Sequence, residues 1–304
     1  MSIKRLRQIE DKGIQLFNNI EEYKKYLATV AKTPHFKWYN SLITMIECPN
    51  ATEINTESGW NELGVTVNGS GFDILIPKTK TEFKSNETGE TIDISVLSED
   101  ELGKALTKEY ISKRSYTLDL KECRVYDVSQ TNSDKGTVRF DKSRIEELKN
   151  YLIEKYSLTG VKDARDAIMR AVLKTVNGIR KNSEFESATI KPSDTTLLTD
   201  SATFIIMSFV GIDCSGIDMS YIEDWGKYLK GNDRGYESLY ISCLDNISEI
   251  SEKLITEIEN EFGLPSSITE KQVASKYKLM DLLKAAEADS VNVEIHKDKL
   301  RQQQ

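Results

Sequence analysis

The chain has 304 residues, of which 38% are hydrophobic and 30% are charged, and its formal net charge at pH 7 is −8. This composition is typical of a globular protein of two ordinary domains and excludes a largely disordered chain. No apolar run approaches the roughly 20 residues that a membrane helix needs, and the negative charge opposes a general affinity of the whole surface for nucleic acid.

The first 132 residues are predicted to combine helices with a small antiparallel sheet. Apolar spacings of three and four predict helices at 9–30 and 38–46, with a short helix or turn at 57–63. Alternating apolar residues and glycine turns predict the strand elements. They are strands at 64–71, 72–77 and 116–128 and a protruding hairpin at 78–94. A capped helix is predicted at 98–107, between the hairpin and the last strand.

The pattern becomes helical after a polar segment at 130–135, which is the predicted linker. Further helices are predicted at 143–156, 161–181, 194–210, 221–228, 237–262 and 270–288. The fold class is therefore expected to be α+β. We divide the chain into a mixed domain at 1–132, a mostly helical domain at 133–264, and a C-terminal helix with a polar tail at 265–304.

Four cysteines, Cys48, Cys123, Cys214 and Cys243, lie far apart without a Cys-x-x-Cys pair. This spacing favours buried thiols in a reducing compartment over disulfides or a zinc knot. The N-terminal residues lack the apolar core of a signal peptide. We therefore expect a cytoplasmic protein.

Histidine chemistry is nearly excluded, because the chain has only His35 and His296 and no His-Glu-x-x-His motif. The helical imidazole pair that binds zinc in many peptidases cannot form without that motif. The sequence also has no phosphate-binding loop, nucleophile elbow or dinucleotide fingerprint. We expect no resident metal or other cofactor.

The segment Phe36-Lys37-Trp38 concentrates two rings and a cation, with Tyr39 directly after them. Exposed rings of this kind stack unpaired bases, while a lysine contacts phosphate. This predicts a site for single-stranded nucleic acid at Phe36, Lys37 and Trp38. The alternative is that the rings anchor the start of the next helix in the core.

The helix at 161–181 separates apolar residues on one arc from cations on the other. The cations are Lys162, Arg165, Arg170, Lys174, Arg180 and Lys181, and two aspartates accompany them. This face is a candidate surface for phosphate or for an acidic partner. An ordinary solvated helix face explains the same pattern.

Several segments together resemble the ArdC-type antirestriction proteins. They are 39–43, Tyr-Asn-Ser-Leu-Ile; 48–52, Cys-Pro-Asn-Ala-Thr; Trp60 with Gly64; 74–77, Ile-Leu-Ile-Pro; and 125–131, Val-Tyr-Asp-Val-Ser-Gln-Thr. The last of these is the most specific match. The resemblance implies an N-terminal domain that binds single-stranded DNA, followed by a domain similar to a zinc metallopeptidase.

The chain departs from that family where the metal would bind. The zinc motif aligns with 174–178, Lys-Thr-Val-Asn-Gly, where Lys174 would repel a dication and Gly178 offers no ligand. Asp200 matches a metal carboxylate of the family, but a single carboxylate does not hold zinc. The resemblance therefore implies a pseudo-metallopeptidase that is not an enzyme.

Two functions of different classes follow. The first is a non-enzymatic antidefence protein of a phage or mobile element. It would act in the host cytoplasm by binding single-stranded DNA or by inhibiting a host defence protein, and self-association is left open. The second is a hydrolase with a carboxylate site such as Asp194, Asp200 and Glu223.

In either case, we expect segment 125–131 to be structural, because its short polar side chains suit hydrogen bonds to the backbone.

Overall fold

The fold comes from a computed structural model, which describes residues 2–85, 88–93, 110–133, 140–182, 192–232, 236–265, 268–270 and 272–273. Nine α-helices and four strands lie in this part of the chain. The helices are α1 (Ser2–Leu16), α2 (Ile20–Val30), α3 (Trp38–Glu47), α4 (Glu57–Glu62), α5 (Ile145–Lys155), α6 (Ala164–Asn182), α7 (Pro192–Val210), α8 (Ile222–Asn232) and α9 (Tyr236–Phe262). The α+β class is confirmed.

The four strands form one antiparallel sheet in the order β1-β4-β2-β3. The strands are β1 (Ile54–Asn55), β2 (Phe72–Ser85), β3 (Thr91–Asp93) and β4 (Tyr110–Asp127). The prediction of a strand at 64–71 is wrong, because this segment makes only an isolated bridge between Val67 and Thr131. The partner of β2 is β4, with Phe72 opposite Val125, so the glycine-rich segment leads into the sheet without being part of it.

The predicted helix at 9–30 is two helices, α1 and α2. Asn19 interrupts it in an extended conformation, and its side chain accepts hydrogen bonds from the backbone N–H groups of Glu21 and Glu22. An asparagine with this geometry is a strong helix N-cap. The break lets α2 turn and pack against α3 and α7.

The end of β4 is fixed by the buried carboxylate of Asp127. One oxygen accepts the backbone N–H groups of Thr52 at 2.7 Å and Glu53 at 3.0 Å. The other accepts the N–H and the hydroxyl of Ser129, at 3.0 and 2.5 Å. Gln130 closes the turn by accepting the N–H of Asp127. Four donors thus converge on one carboxylate, which we call the Asp127 junction.

Trp60, which is named in the sequence resemblance, and Gly71 complete this junction. Trp60 is buried, and its indole N–H donates to the carbonyl of Tyr126 at 3.0 Å. Gly71 has a φ of +62°, and a side chain there would lie 2.5 Å from the carbonyl of Val125. Glycine is therefore required at this close approach of β2 to β4.

The core continues from the N-terminal helices into the helices after residue 140. The ring of Phe17 packs against the rings of Trp225 and Tyr240, and the Tyr23 hydroxyl lies 2.8 Å from that of Ser201. Helix α7 packs against α2, α6 and α9, as expected from its apolar sequence. The predicted domain boundaries at 132 and 264 stay predictions.

Other expectations fall partly outside the described residues. The helix predicted at 98–107 and most of the one at 270–288 lie there, as do the last two residues of the predicted linker. Within the described part of the chain, no helix is both long and apolar enough to cross a membrane.

Candidate binding surface

The aromatic segment before α3 is part of the core. Phe36 is 3% exposed and Trp38 2% exposed. The Trp38 ring lies between α1 and α9. A Cβ atom added at Gly13 of α1 would lie 2.9 Å from this ring and 3.1 Å from the side chain of Leu244 in α9. This corrects the expectation of exposed rings: neither offers a face to an unpaired base. Lys37 is the exposed residue of the three.

The burial of Trp38 leads to a prediction about stability. We expect Trp38→Phe to lower the free energy of unfolding by about 1–2 kcal/mol, because the smaller ring leaves space against α1 and α9. Leu63→Ala is the control and should change little, because Leu63 is 59% exposed. Urea unfolding followed by circular dichroism measures both. An unaltered midpoint for Trp38→Phe would mean that the ring does not pack as described.

His35 forms a buried ionic cluster with α9. Its Nε2 lies 2.8 Å from Glu259, which is only 2% exposed, and its Nδ1 lies 3.5 Å from Glu252. Burial lowers the pKa of His35, but the hydrogen bonds and charges of the two glutamates outweigh it and raise that pKa to about 9. The imidazole is therefore protonated at neutral pH, when both ring nitrogens can donate.

Glu270 extends this cluster to the start of α3. It accepts hydrogen bonds of 2.6 Å from the Lys37 N–H and from the Asn40 amide. Burial raises its pKa to about 7, against the lowering effect of those bonds. Asn40 also bonds both backbone groups of Leu75 in β2. His35, Asn40 and Glu270 thus tie α3 to the sheet and to the C-terminal part of the chain.

The predicted basic helix face lies at the surface of α6. Lys162 and Lys174 are exposed, and Arg165 and Arg170 are half-buried. Arg165 donates to the carbonyl of Asp213 at 3.0 Å. Arg165, Arg170 and Lys174 lie on α6 and Lys162 just before it, and about 180° of the helix circumference separates Arg165 from Lys174.

Much of the charge on this face is already engaged. Arg170 forms a 2.6 Å ion pair with Asp166 and donates to the carbonyl of Thr159. Hydrogen bonding from Arg170 lowers the pKa of Asp166, so the carboxylate stays ionised and keeps Arg170 neutralised. Lys162, Arg165 and Lys174 form no ion pair with the described residues, but the charges of Asp166 and Asp213 act on Lys162 and Arg165.

The position expected for a metal motif is occupied by internal hydrogen bonds. Lys174 Nζ donates to the carbonyl of Tyr156 at 2.5 Å and to that of Ser157 at 3.3 Å, at the C-terminal end of α5. Asp200 accepts a 2.8 Å hydrogen bond from the hydroxyl of Tyr221, and burial raises the pKa of Asp200. Among the described residues, no three His, Cys, Asp or Glu side chains are placed to hold a metal ion.

Two members of the alternative carboxylate site, Asp200 and Glu223, do not line the same cleft. Glu223 lines an open cleft of about 580 Å³ between the start of α2 and the loop before α8, but Asp200 is not among its lining residues. The side chain of Asp194 lies outside the described residues.

No family model matches the sequence, and no curated protein does. Among solved structures, the chain is similar to the metal-free crystal structure of the antirestriction protein ArdC from plasmid R388. The TM-score is 0.34 and the sequence identity 12%, over 73% of this chain and 86% of that one. This is a distant structural likeness.

Proposed function

We propose that the protein is a non-enzymatic antidefence factor of a phage or mobile element and that it acts by binding a host defence protein. The observation that carries this proposal is the Asp127 junction. Segments 48–52 and 125–131, which lie far apart in sequence and carry part of the resemblance to antirestriction proteins, meet there through the 2.7 Å hydrogen bond from the Thr52 N–H to Asp127. Two of the resembling segments thus belong to one structural unit.

The side chains at the former metal position favour binding over catalysis. Lys174 holds the C-terminal carbonyls of α5, which stabilises that helix end electrostatically. Asp200 is paired with Tyr221. Both groups have structural partners, which supports a structural role for each of them.

A protein target suits this chain better than single-stranded DNA. Phe36 and Trp38 are in the core, and Arg170 is neutralised by Asp166. The net charge of −8 also opposes approach to phosphates. A protein surface does not require stacking rings or an excess of cations.

A plating assay tests the proposal. Unmodified phage are plated on hosts that each carry one cloned restriction or other defence system, with and without the protein. We expect plating to rise on at least one defended host and to stay unchanged on the undefended parent. The double variant Asp200→Asn/Glu223→Gln should protect as well as the wild type, because neither carboxylate does chemistry. Loss of protection in that variant, with its fold intact, would favour the hydrolase.

The target is then identified with purified protein. Protein prepared without added metal and treated with a chelator should still bind a component of the rescued defence system. A labelled single-stranded oligonucleotide serves as the second arm. Binding to the oligonucleotide whose log affinity falls with log salt, at about −0.7 per phosphate, would replace the protein target by DNA. Failure to rescue plating on every defended host would contradict the antidefence role.

A further inference from the structure

Two large apolar side chains stand next to each other on the outer face of α6. Met169 is 42% exposed and Leu173 39% exposed. Residues four apart lie on the same face of a helix, so the two form one apolar strip. Single exposed apolar residues are ordinary, and contiguous apolar surface is where another molecule can dock.

Cations surround this strip. At about 100° per residue, Arg165 lies on one side of the strip, and the Asp166–Arg170 ion pair followed by Lys174 lies on the other. Lys162 is exposed at its N-terminal end, just before the helix begins. These three cations make no ion pair with the described residues. An apolar centre with a positively charged rim is therefore present on a chain whose net charge is −8.

We propose that the outer face of α6 is a docking surface for an acidic amphipathic helix of a partner protein. Its apolar anchors would cover Met169 and Leu173, and its carboxylates would pair with Lys162, Arg165 and Lys174. The inference rests on the proposed function only in taking the partner to be a protein. Helices that place apolar residues in register along one face are a common form of such partners.

The rim is already ordered, which favours binding. The Arg165 guanidinium packs on Gly216, where an added side chain would meet it at 2.4 Å, and it donates to the carbonyl of Asp213. Lys174 is held by the carbonyls of Tyr156 and Ser157. All of these hydrogen-bond acceptors are neutral carbonyls, so neither Arg165 nor Lys174 is paired with a carboxylate through them, although the charge of Asp213 acts on Arg165. Side chains ordered in advance lose less entropy on binding.

Nucleic acid fits the same face less well. Neither Met169 nor Leu173 has a ring on which a base can stack. A phosphate backbone that reached the flanking cations would pass over the apolar strip and would lose hydration without gaining a polar partner. Carboxylates on a helix that also carries apolar anchors satisfy both the centre and the rim.

A peptide selection with the full-length protein tests the proposal. A displayed library of helical peptides is selected against the wild type, with Met169→Ser/Leu173→Ser present as a competitor. We expect the enriched peptides to carry apolar residues four apart, flanked by Asp or Glu. By fluorescence anisotropy, an enriched peptide should bind the double variant about tenfold or more weakly. Leu63→Ser, at an exposed leucine elsewhere, should bind as the wild type does.

Further measurements separate the occupants. Lys162→Glu should weaken peptide binding, and more so at low salt, because it reverses a rim charge. Enriched peptides without the acidic and apolar pattern, or with equal affinity for the double variant, would overturn the proposal. The proposal would also be overturned by an oligonucleotide that binds the wild type and Met169→Ser/Leu173→Ser but does not bind Lys162→Glu/Lys174→Glu. Peptide binding needs no defence system, so it can succeed while the plating assay fails, and the reverse.

Discussion

Replacement of Asp127 by alanine is expected to lower the free energy of unfolding by about 3–5 kcal/mol, because it removes the acceptor of several buried hydrogen bonds at once. The N–H groups of Thr52, Glu53 and Ser129 would lose their partner together. Asp127→Asn keeps one acceptor oxygen and should lie between wild type and Asp127→Ala. Equilibrium unfolding in urea measures all three proteins.

A surface carboxylate on the neighbouring strand gives the matched control. Asp73 pairs with Arg124 at 2.7 Å, but both side chains are partly exposed. Exposed pairs contribute about 0–1 kcal/mol, so Asp73→Ala should have a much smaller effect. If Asp127→Ala unfolds like Asp73→Ala yet abolishes protection in the plating assay, then segment 125–131 contacts the target and does not serve the fold.

The second large effect concerns His35. Its pKa is raised from 6.5 to about 9 in the folded protein. A group whose folded pKa is raised contributes stability that is complete below the unfolded value and is lost as pH rises through the folded value. At about 1.4 kcal/mol per pKa unit, the wild type should lose about 3 kcal/mol of stability between pH 6.5 and 9.

Variants separate this effect from general alkaline destabilisation. His35→Gln cannot titrate, so its unfolding free energy should change much less between pH 6.5 and 9. It should also be less stable than the wild type near pH 6.5, because breaking a buried ion pair costs about 3–5 kcal/mol. Glu270 has a pKa that is raised from 4.5 to about 7. Its contribution to the free energy of unfolding should therefore be lost as the pH rises from about 4.5 to 7, a lower range than that of His35. Glu270→Gln should remove only that part. A wild-type stability curve that is flat from pH 6.5 to 9 would contradict the His35 assignment.

The sequence predicted the helices well because their signals are local. Apolar periodicity located α3, α5, α6, α7 and α9 to within a few residues, and Gly263, with a φ of +63°, ends α9 as predicted. The break at Asn19 was missed although its signal was present: an asparagine followed by two glutamates is a capping pattern. The strand predicted at 64–71 failed because glycines and alternation fit a loop as well as a hairpin.

The polar clusters were beyond sequence reasoning because they join distant residues. His35 and Glu259 are 224 positions apart, and Lys37 and Glu270 are 233 apart. The sequence around each of these residues does not indicate which distant residue it contacts. The exposure of Trp38 was misjudged for a related reason, since a ring near a lysine is compatible with a core and with a surface. By contrast, the cations of α6 and the bonding role of Asp127 could be read from local pattern and side-chain chemistry.

Asn40 has a consequence for how the protein behaves at high concentration. Strand β3 pairs with β2 only at residues 82–84 in the described register, so no described strand pairs with Leu75 on the side away from β4. The Asn40 amide bonds both the N–H and the C=O of Leu75, at 2.8 and 2.7 Å, as a neighbouring strand would. Unpaired strand edges recruit other chains and nucleate aggregation. Asn40 thus leaves Leu75 no free backbone group for a strand of a second copy, and Arg5 bonds the carbonyl of Asp73 on the same strand.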